Sequence, residues 1–143
     1  MTHEADAGYA LFAVPADQGI RAWGRDLPEV FRQAALGLTS LIVDPTTVRP
    51  GREIPVAVEA GDHEALLVAW LNEVLYLCDA KGLVASDCAI RSLTETELSA
   101  VVWAEDLDPS RHVAVGHVKA VTYHLLRVAQ GERGWEASVV VDV

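Results

Sequence analysis

Two aspartates stand where the sequence could bring hard oxygen ligands together. Asp17 lies in a short turn, residues 15–19, where Gly19 allows the backbone to approach closely. Asp142 ends an almost wholly apolar run and precedes Val143, and a charge at the end of a buried strand needs a partner. If the turn meets the C-terminus, carboxylate and backbone oxygens converge in a set that favours Ca²⁺, Mg²⁺ or Mn²⁺ over Zn²⁺. Alternatively, Asp17 only stabilises its own turn and Asp142 is a solvated strand end.

The five histidines and two cysteines match no specific motif. His63-Glu64 does not continue as H-E-x-x-H, and no cysteine pair has zinc-finger spacing to His112, His117 or His124. Neither cysteine follows a helix start or a fixed cation that would lower its pKa. No phosphate-binding glycine loop or G-x-S-x-G motif occurs. We interpret the histidines as structural or surface residues, and Cys78 and Cys88 as reduced, packed residues.

Composition excludes several classes of protein. The 143 residues are 51% hydrophobic and 22% charged, which is typical of a folded domain and not of a disordered chain. Eleven basic against 21 acidic residues give a net charge of −10, the wrong sign for autonomous nucleic-acid binding. Because residues 1–8 lack a basic region and an apolar region, we expect a cytoplasmic protein. The apolar stretch 65–78 contains Asn72 and Glu73 and is too short to span a membrane.

Apolar periodicity predicts two helices. The first is expected to begin with Asp26 as its cap and Glu29 three residues on, and to stop before Asp44-Pro45. The second should run from about Asp62 to Lys81, end at Gly82, and place one wide apolar face against the core. Trp70 lies on that face.

The remaining segments read as strands. Residues 9–14 and 20–23 should flank the Asp17 turn, and 54–58 alternates around Pro55, which indicates an edge strand. Further strands are expected at 87–93, 98–104, 113–128, with Gly116 as a bulge, and 135–142. On the strand pattern Trp23 and Trp103 point away from the core, toward a partner or a second packed layer. We predict one α+β domain over residues 9–143, with two amphipathic helices on mixed, mostly antiparallel sheet, after a flexible tail of residues 1–8.

These segments resemble the archease family from about Tyr9 to the last residue. The resemblance rests on Asp44-Pro45 and on four longer pieces, Ala16-Asp17-x-Gly19-Ile20-x-Ala22-x-Gly24, Leu66-Leu67-x-x-Trp70-Leu71-Asn72-Glu73-x-Leu75-Tyr76-Leu77, Val118-Lys119-Ala120-Val121-Thr122-Tyr123-His124, and Trp135 with Val141-Asp142-Val143. Their order and the total length make the match specific.

The resemblance implies a non-catalytic accessory factor of the RtcB-type RNA ligase. Archeases promote guanylylation of that ligase and so allow multiple turnover in tRNA splicing or RNA repair. The family's metal site, usually assigned to Ca²⁺, corresponds here to Asp17, Asp142 and Val143, the last through a main-chain oxygen. The implied fold, two helices against sheets, agrees with the pattern above. The oligomeric state stays open.

This chain departs from the family in the first turn. The family commonly has His-Thr-Ala-Asp, whereas this chain has Val14-Pro15-Ala16-Asp17. If the lost polar residues orient the aspartate, metal affinity is weaker or the cation differs. Two alternatives follow. The protein could be a metal-stabilised interaction or chaperone-like module without ligase activation, or a metal-dependent hydrolase that uses Asp17 and Asp142, which lacks an evident general base.

Overall fold

The two helices and most strands lie close to where the sequence places them. The structure, a computed structural model, describes residues 6–143. Within them, the helices are α1 (Leu27–Ser40) and α2 (His63–Lys81), and a 3-10 turn covers Pro45–Thr47. The strands are β1 (Gly8–Val14), β2 (Asp17–Gly24), β3 (Arg52–Glu59), β4 (Leu83–Leu93), β5 (Glu97–Asp106), β6 (Ala120–Val121), β7 (Arg127–Gly131) and β8 (Gly134–Asp142). Of the predicted tail, residues 1–5 lie outside the described part, and Gly8 already belongs to β1.

Side-chain caps fix where both helices begin. The Asp26 carboxylate accepts a hydrogen bond from the Glu29 N–H at 3.0 Å, and Asp62 does the same for Ala65 at 2.8 Å. At the end of α2, Gly82 adopts the left-handed φ of +64°. The predicted caps are confirmed. Helix α1 ends at Ser40, before Asp44, which caps the 3-10 turn through Thr46.

Helix α2 is buried more completely than one wide face. It contacts α1 and strands of both sheets. Val68 and Leu77 are buried together with the predicted apolar face. Trp70 is fully buried, and its indole N–H donates to the Phe31 carbonyl at 2.9 Å. A helix enclosed on most sides needs apolar residues around most of its circumference, which explains why this helix is less amphipathic than predicted.

The strands form two sheets, and every pair within residues 6–143 is antiparallel. In the five-stranded sheet β2 lies between β1 and β8, and the other side of β8 pairs with β6 near its end and β7 near its start. The three-stranded sheet has the order β3-β5-β4, so Pro55 lies on an edge strand as predicted. One continuous core joins both helices and both sheets.

The strand predicted at 113–128 is wrong over most of its length. Only Ala120, Val121 and the residues from Arg127 onward pair with β8. Residues 107–119 instead form an irregular segment. In its middle, the Asp44 N–H donates to the Val113 carbonyl and the Val115 N–H donates to the Ile42 carbonyl, so this part is bonded to the residues that follow α1. Val113 and Val115 are exposed, so their alternation does not mark a buried face. Gly116 lies in this segment and is not a strand bulge.

No helix within residues 6–143 is both long and apolar enough to cross a lipid bilayer.

Candidate functional site

The turn before Asp17 is shorter than the sequence suggested. Only Pro15 and Ala16 connect β1 to β2, and Asp17 opens β2 opposite Val14. Proline followed by a residue of positive φ is typical of a type II turn, and Ala16 has φ +64°. Gly19 serves another purpose than predicted. A Cβ there would lie 2.2 Å from the Phe12 ring, so glycine makes room for that ring.

The sheet register brings Asp17 and Asp142 together. Gln18 pairs with Val141 at the last step of the β2–β8 ladder, and one step further in the same register would put Asp17 opposite Asp142. Directly opposed residues point to the same face, with Cβ atoms about 5 Å apart. Val14 pairs with Asp17, and Ala120 pairs with Asp142. The ladder therefore brings two carboxylates to adjacent strand ends at one end of the five-stranded sheet, between two apolar neighbours.

Among residues 6–143, no cationic side chain forms an ion pair with either of these carboxylates. Within the described residues, neither the Asp17 nor the Asp142 side chain forms a hydrogen bond or an ion pair. The nearest cation along β2 on that face is Arg21, four residues and about 13 Å away. It contacts the Trp23 ring at 4.4 Å and the Glu136 carboxylate at 3.4 Å.

The donor set fits a hard cation only in part. Among residues 6–143, no three His, Cys, Asp or Glu side chains are grouped to share a metal ion. The Asp142 carbonyl already accepts the Lys119 N–H at 2.7 Å. Val143 follows directly and is 45% exposed. Asp17, Asp142 and Val143 thus offer oxygen donors alone, which suits Ca²⁺, Mg²⁺ or Mn²⁺ with water completing the shell.

Asn72 holds the strand next to Asp142, a role that the sequence did not reveal. Its side-chain oxygen accepts the Val121 N–H at 3.2 Å, and its amide donates to the Val121 carbonyl at 3.5 Å. Val121 pairs with Val141, so this contact ties α2 to the strand beside the carboxylate pair. The available signal was an amide inside an apolar helical run, where a polar side chain must find a partner.

A second acidic centre, the Glu105 cluster, consists of Glu105, Arg111, His112 and the backbone of Arg49. The Glu105 carboxylate accepts from the Arg111 guanidinium at 2.7 Å, from the Arg49 N–H at 2.9 Å and from His112. These bonds lower the pKa of Glu105 to about 2, with Arg111 the largest cause. The buried His112 ring accepts the Asp108 N–H at Nδ1, so Nε2 carries the proton toward Glu105. This cluster secures the irregular segment to β5.

Within residues 6–143, the remaining histidines and the two cysteines do not join the carboxylate pair. His63 packs edge-on against Trp135, and His117 and His124 are exposed. Both cysteines are free thiols, and burial raises the pKa of Cys88 to about 12. Cys88 is therefore a packed residue, as predicted. Trp23 and Trp103 lie half-buried on the faces turned away from the core, each near an arginine.

Comparison with known proteins gives one consistent result. The model of the Archease protein family (MTH1598/TM1083) matches residues 9–143. "Protein archease" of Thermococcus gammatolerans is 41% identical over 133 residues, covering 90% of this chain and 93% of that protein, and its counterpart in Pyrococcus furiosus is 36% identical over 132 residues, covering 90% and 93%. The solution structure of Methanobacterium thermoautotrophicum protein 1598 superposes with a TM-score of 0.79 at 28% identity, covering 95% of this chain and 99% of that one. Together with the fold and the ends of β2 and β8, these similarities show that the chain belongs to the archease family.

Proposed function

We propose that this protein is a non-catalytic accessory factor that activates an RtcB-type RNA ligase. It promotes guanylylation of the ligase and so allows multiple turnover in tRNA splicing or RNA repair, in the cytoplasm. The proposal is supported by two aspartates, Asp17 and Asp142, at adjacent strand ends of the five-stranded sheet in a member of the archease family; within residues 6–143 neither side chain has a hydrogen-bond or ion-pair partner.

The proposed site holds one divalent cation. Asp17, Asp142 and the Val143 main chain would be its ligands, with Ca²⁺ as the expected ion and Mg²⁺ or Mn²⁺ as alternatives. Three residues do not fill the coordination shell of such an ion, so positions remain for water or for groups of a partner. When bound, the cation supplies charge neutralisation for a nucleotidyl transfer. The protein's own part is to fix two carboxylates at a spacing set by the β2–β8 register.

The covalent chemistry is assigned to the ligase. Within the described residues no further ionisable side chain of the metal-binding types joins the two aspartates, so the pair has no companion general base. The chain's net charge of −10 suits docking on a basic active-site mouth, and phosphate binding by this chain alone is not expected.

A ligation time course tests the proposal. Limiting RtcB-type ligase from the same source is given GTP, Mn²⁺ and RNA ends, with and without this protein. We expect several product molecules per ligase with the wild type, and no more than the unassisted level with Asp17→Asn or Asp142→Asn. The matched control is Glu132→Gln, which removes one charge in the turn before β8, at the opposite end of the strand from Asp142.

Three other outcomes separate the alternatives. No extra turnover with folded wild type and active ligase would overturn the activator proposal. Binding to the ligase without a change in turnover would favour an interaction or chaperone-like module. Hydrolysis by this protein without any ligase would favour the enzyme alternative.

A further inference from the structure

The loop between β6 and β7, Thr122–Leu126, exposes two large apolar side chains. Tyr123 is 66% exposed and Leu125 is 56% exposed, the first and third most exposed large hydrophobic residues of the described chain. Exposed apolar groups that lie together are typical of an interaction surface. Tyrosine also brings a rigid, amphipathic ring, which is favoured in protein interfaces.

Hydrogen bonds hold this loop in one shape although its backbone is strained. Leu125 has φ +53°, a left-handed conformation that a bulky residue rarely adopts. The Thr122 side chain donates to the Val140 carbonyl at 2.8 Å, and the Ser138 hydroxyl donates to the Leu125 carbonyl at 3.2 Å. The loop therefore presents Tyr123 and Leu125 from a fixed support on β8. Backbone strain that the surroundings maintain is found most often at functional sites.

The loop lies beside the carboxylate pair. Its anchor, Val140, is two residues before Asp142 on β8, and Ala120 at the start of β6 pairs with Asp142. From there the loop runs back along β8, and the Leu125 carbonyl is bonded to Ser138. The apolar projection and the two aspartates thus lie along the same last five residues of β8.

We infer that the Thr122–Leu126 loop is the docking element that seats the carboxylate pair on its partner. Its occupant is a protein cleft that combines an apolar socket for Tyr123 and Leu125 with cationic groups facing Asp17 and Asp142. The inference rests on the proposed function and identifies that cleft with the active-site mouth of the RNA ligase. In this arrangement the loop supplies affinity and the aspartates supply activation.

Binding and turnover, measured separately, test the assignment. The docking variant is Tyr123→Ser with Leu125→Asn, because asparagine tolerates the left-handed φ and preserves the loop backbone. The matched control is Tyr76→Ser with Val113→Ser, an exposed aromatic and an exposed aliphatic residue in other segments. Affinity for immobilised ligase is measured by biolayer interferometry, folding by circular dichroism, and turnover over a range of protein concentrations.

We expect the docking variant to bind the ligase at least tenfold more weakly and the control to bind within twofold of wild type. High concentrations of the docking variant should restore turnover, whereas Asp142→Asn should bind within about threefold and never activate. Folded docking variants that bind like wild type would overturn this inference and leave the proposed function intact. If the wild type neither binds nor activates the ligase, both this inference and the proposed function are overturned. That result differs from one in which the docking variant binds as well as the wild type. If the double variant is misfolded, Tyr123→Ser alone is tested in the same way, and it should bind the ligase at least threefold more weakly than wild type.

Discussion

The two acidic centres of this molecule are built in opposite ways. In the Glu105 cluster, one carboxylate accepts bonds from a guanidinium, a backbone N–H and a buried imidazole. At the sheet end, Asp17 and Asp142 lie at the ends of adjacent strands, and neither side chain has a hydrogen-bond or ion-pair partner within the described residues. A carboxylate whose bonds are complete stabilises the fold, whereas two neighbouring carboxylates without partners are poised for a ligand from outside.

Backbone strain also differs between the Glu105 cluster and the sheet end. Within residues 6–143 the non-glycine residues with positive φ are Ala16 and Leu125. Ala16 immediately precedes Asp17, and the Leu125 carbonyl accepts a hydrogen bond from Ser138, four residues before Asp142 on β8. The Glu105 cluster has none. Both strained residues thus lie in turns that border the strands carrying the two aspartates, and strain of this kind is often found at functional sites.

Breaking the Glu105 cluster should have the largest effect on stability. His112→Ala leaves the Asp108 N–H without its partner, removes one of the two bonds to Glu105 Oε1 and opens a cavity, so we expect a loss of about 2–3 kcal/mol in the free energy of unfolding. Urea denaturation at pH 7 measures it. His124→Ala, at an exposed site, should change the value by less than about 0.5 kcal/mol. Equal effects of both variants would contradict a structural role for the cluster.

At the sheet end, removing one charge should act on cation binding and not on folding. Ca²⁺ at millimolar concentration is expected to raise the Tm of the wild type because it binds only the folded chain. Asp142→Asn should weaken cation binding by at least about tenfold, which is about 1.4 kcal/mol. Calorimetric titration with Ca²⁺, Mg²⁺ and Mn²⁺ measures the affinity, and Glu132→Gln is the charge control. Undiminished binding by Asp142→Asn would remove Asp142 from the site.

A histidine introduced beside Asp17 should strengthen cation binding at the sheet end. Val14 lies next to Asp17 on the same face, at the position where the resemblance implies histidine. Val14→His is expected to tighten Mn²⁺ binding by about fivefold, or about 1 kcal/mol, through one more donor or through orientation of Asp17. Ala13→His places the same ring one residue earlier, on the opposite face, and should leave the affinity unchanged. A gain of the same size in both would indicate nonspecific binding to histidine.

Relieving the turn should give a smaller gain in stability. Ala16→Gly removes a left-handed conformation that costs alanine about 1–2 kcal/mol, while glycine gives back part of this as unfolded-state entropy. We expect a net gain of about 0.5 kcal/mol by urea denaturation. Ala13→Gly, within β1, should lower stability by about 0.5–1 kcal/mol. A loss of stability in Ala16→Gly would show that the turn is not strained.

The last prediction concerns the pH dependence of the stabilisation by Glu105, which appears only in acid. Because the pKa of Glu105 is about 2 in the folded chain against 4.5 ordinarily, its stabilisation is fully present above about pH 5 and is lost as the pH falls from 4.5 toward 2. The difference in unfolding free energy between wild type and Glu105→Gln should therefore shrink over that range. Denaturation curves at pH 7, 5, 4 and 3 measure it. A difference independent of pH would exclude this linkage.

Helices were predictable because their signals are local. Asp26 and Gly82 act within a few residues of themselves, and the structure confirms both. The strand predicted at 113–128 is wrong over most of its length because strand pairing depends on a distant partner. Val113 and Val115 are bonded to the residues after α1, and His112 is bonded to Glu105. The sequence predicts a five-residue turn at Asp17, whereas two residues make the turn. Gly19 belongs to the strand, where it leaves room for the Phe12 ring across the hairpin.

The sequence by itself determined the two helices, the α+β class and the family. Caps, apolar periodicity and ordered motifs depend on residues that are close together in the sequence. It also indicated Asp17 and Asp142 as two acids in unusual surroundings. Only the tertiary structure decided that they lie at adjacent strand ends, that Asn72 holds the adjacent strand, and that Glu105 is satisfied while they are not. The first depends on the register of β2 and β8, and the second on a contact between Asn72 and Val121, 49 positions apart. The third depends on a contact between His112 and Glu105, seven positions apart around a loop. Only folding brings such partners together.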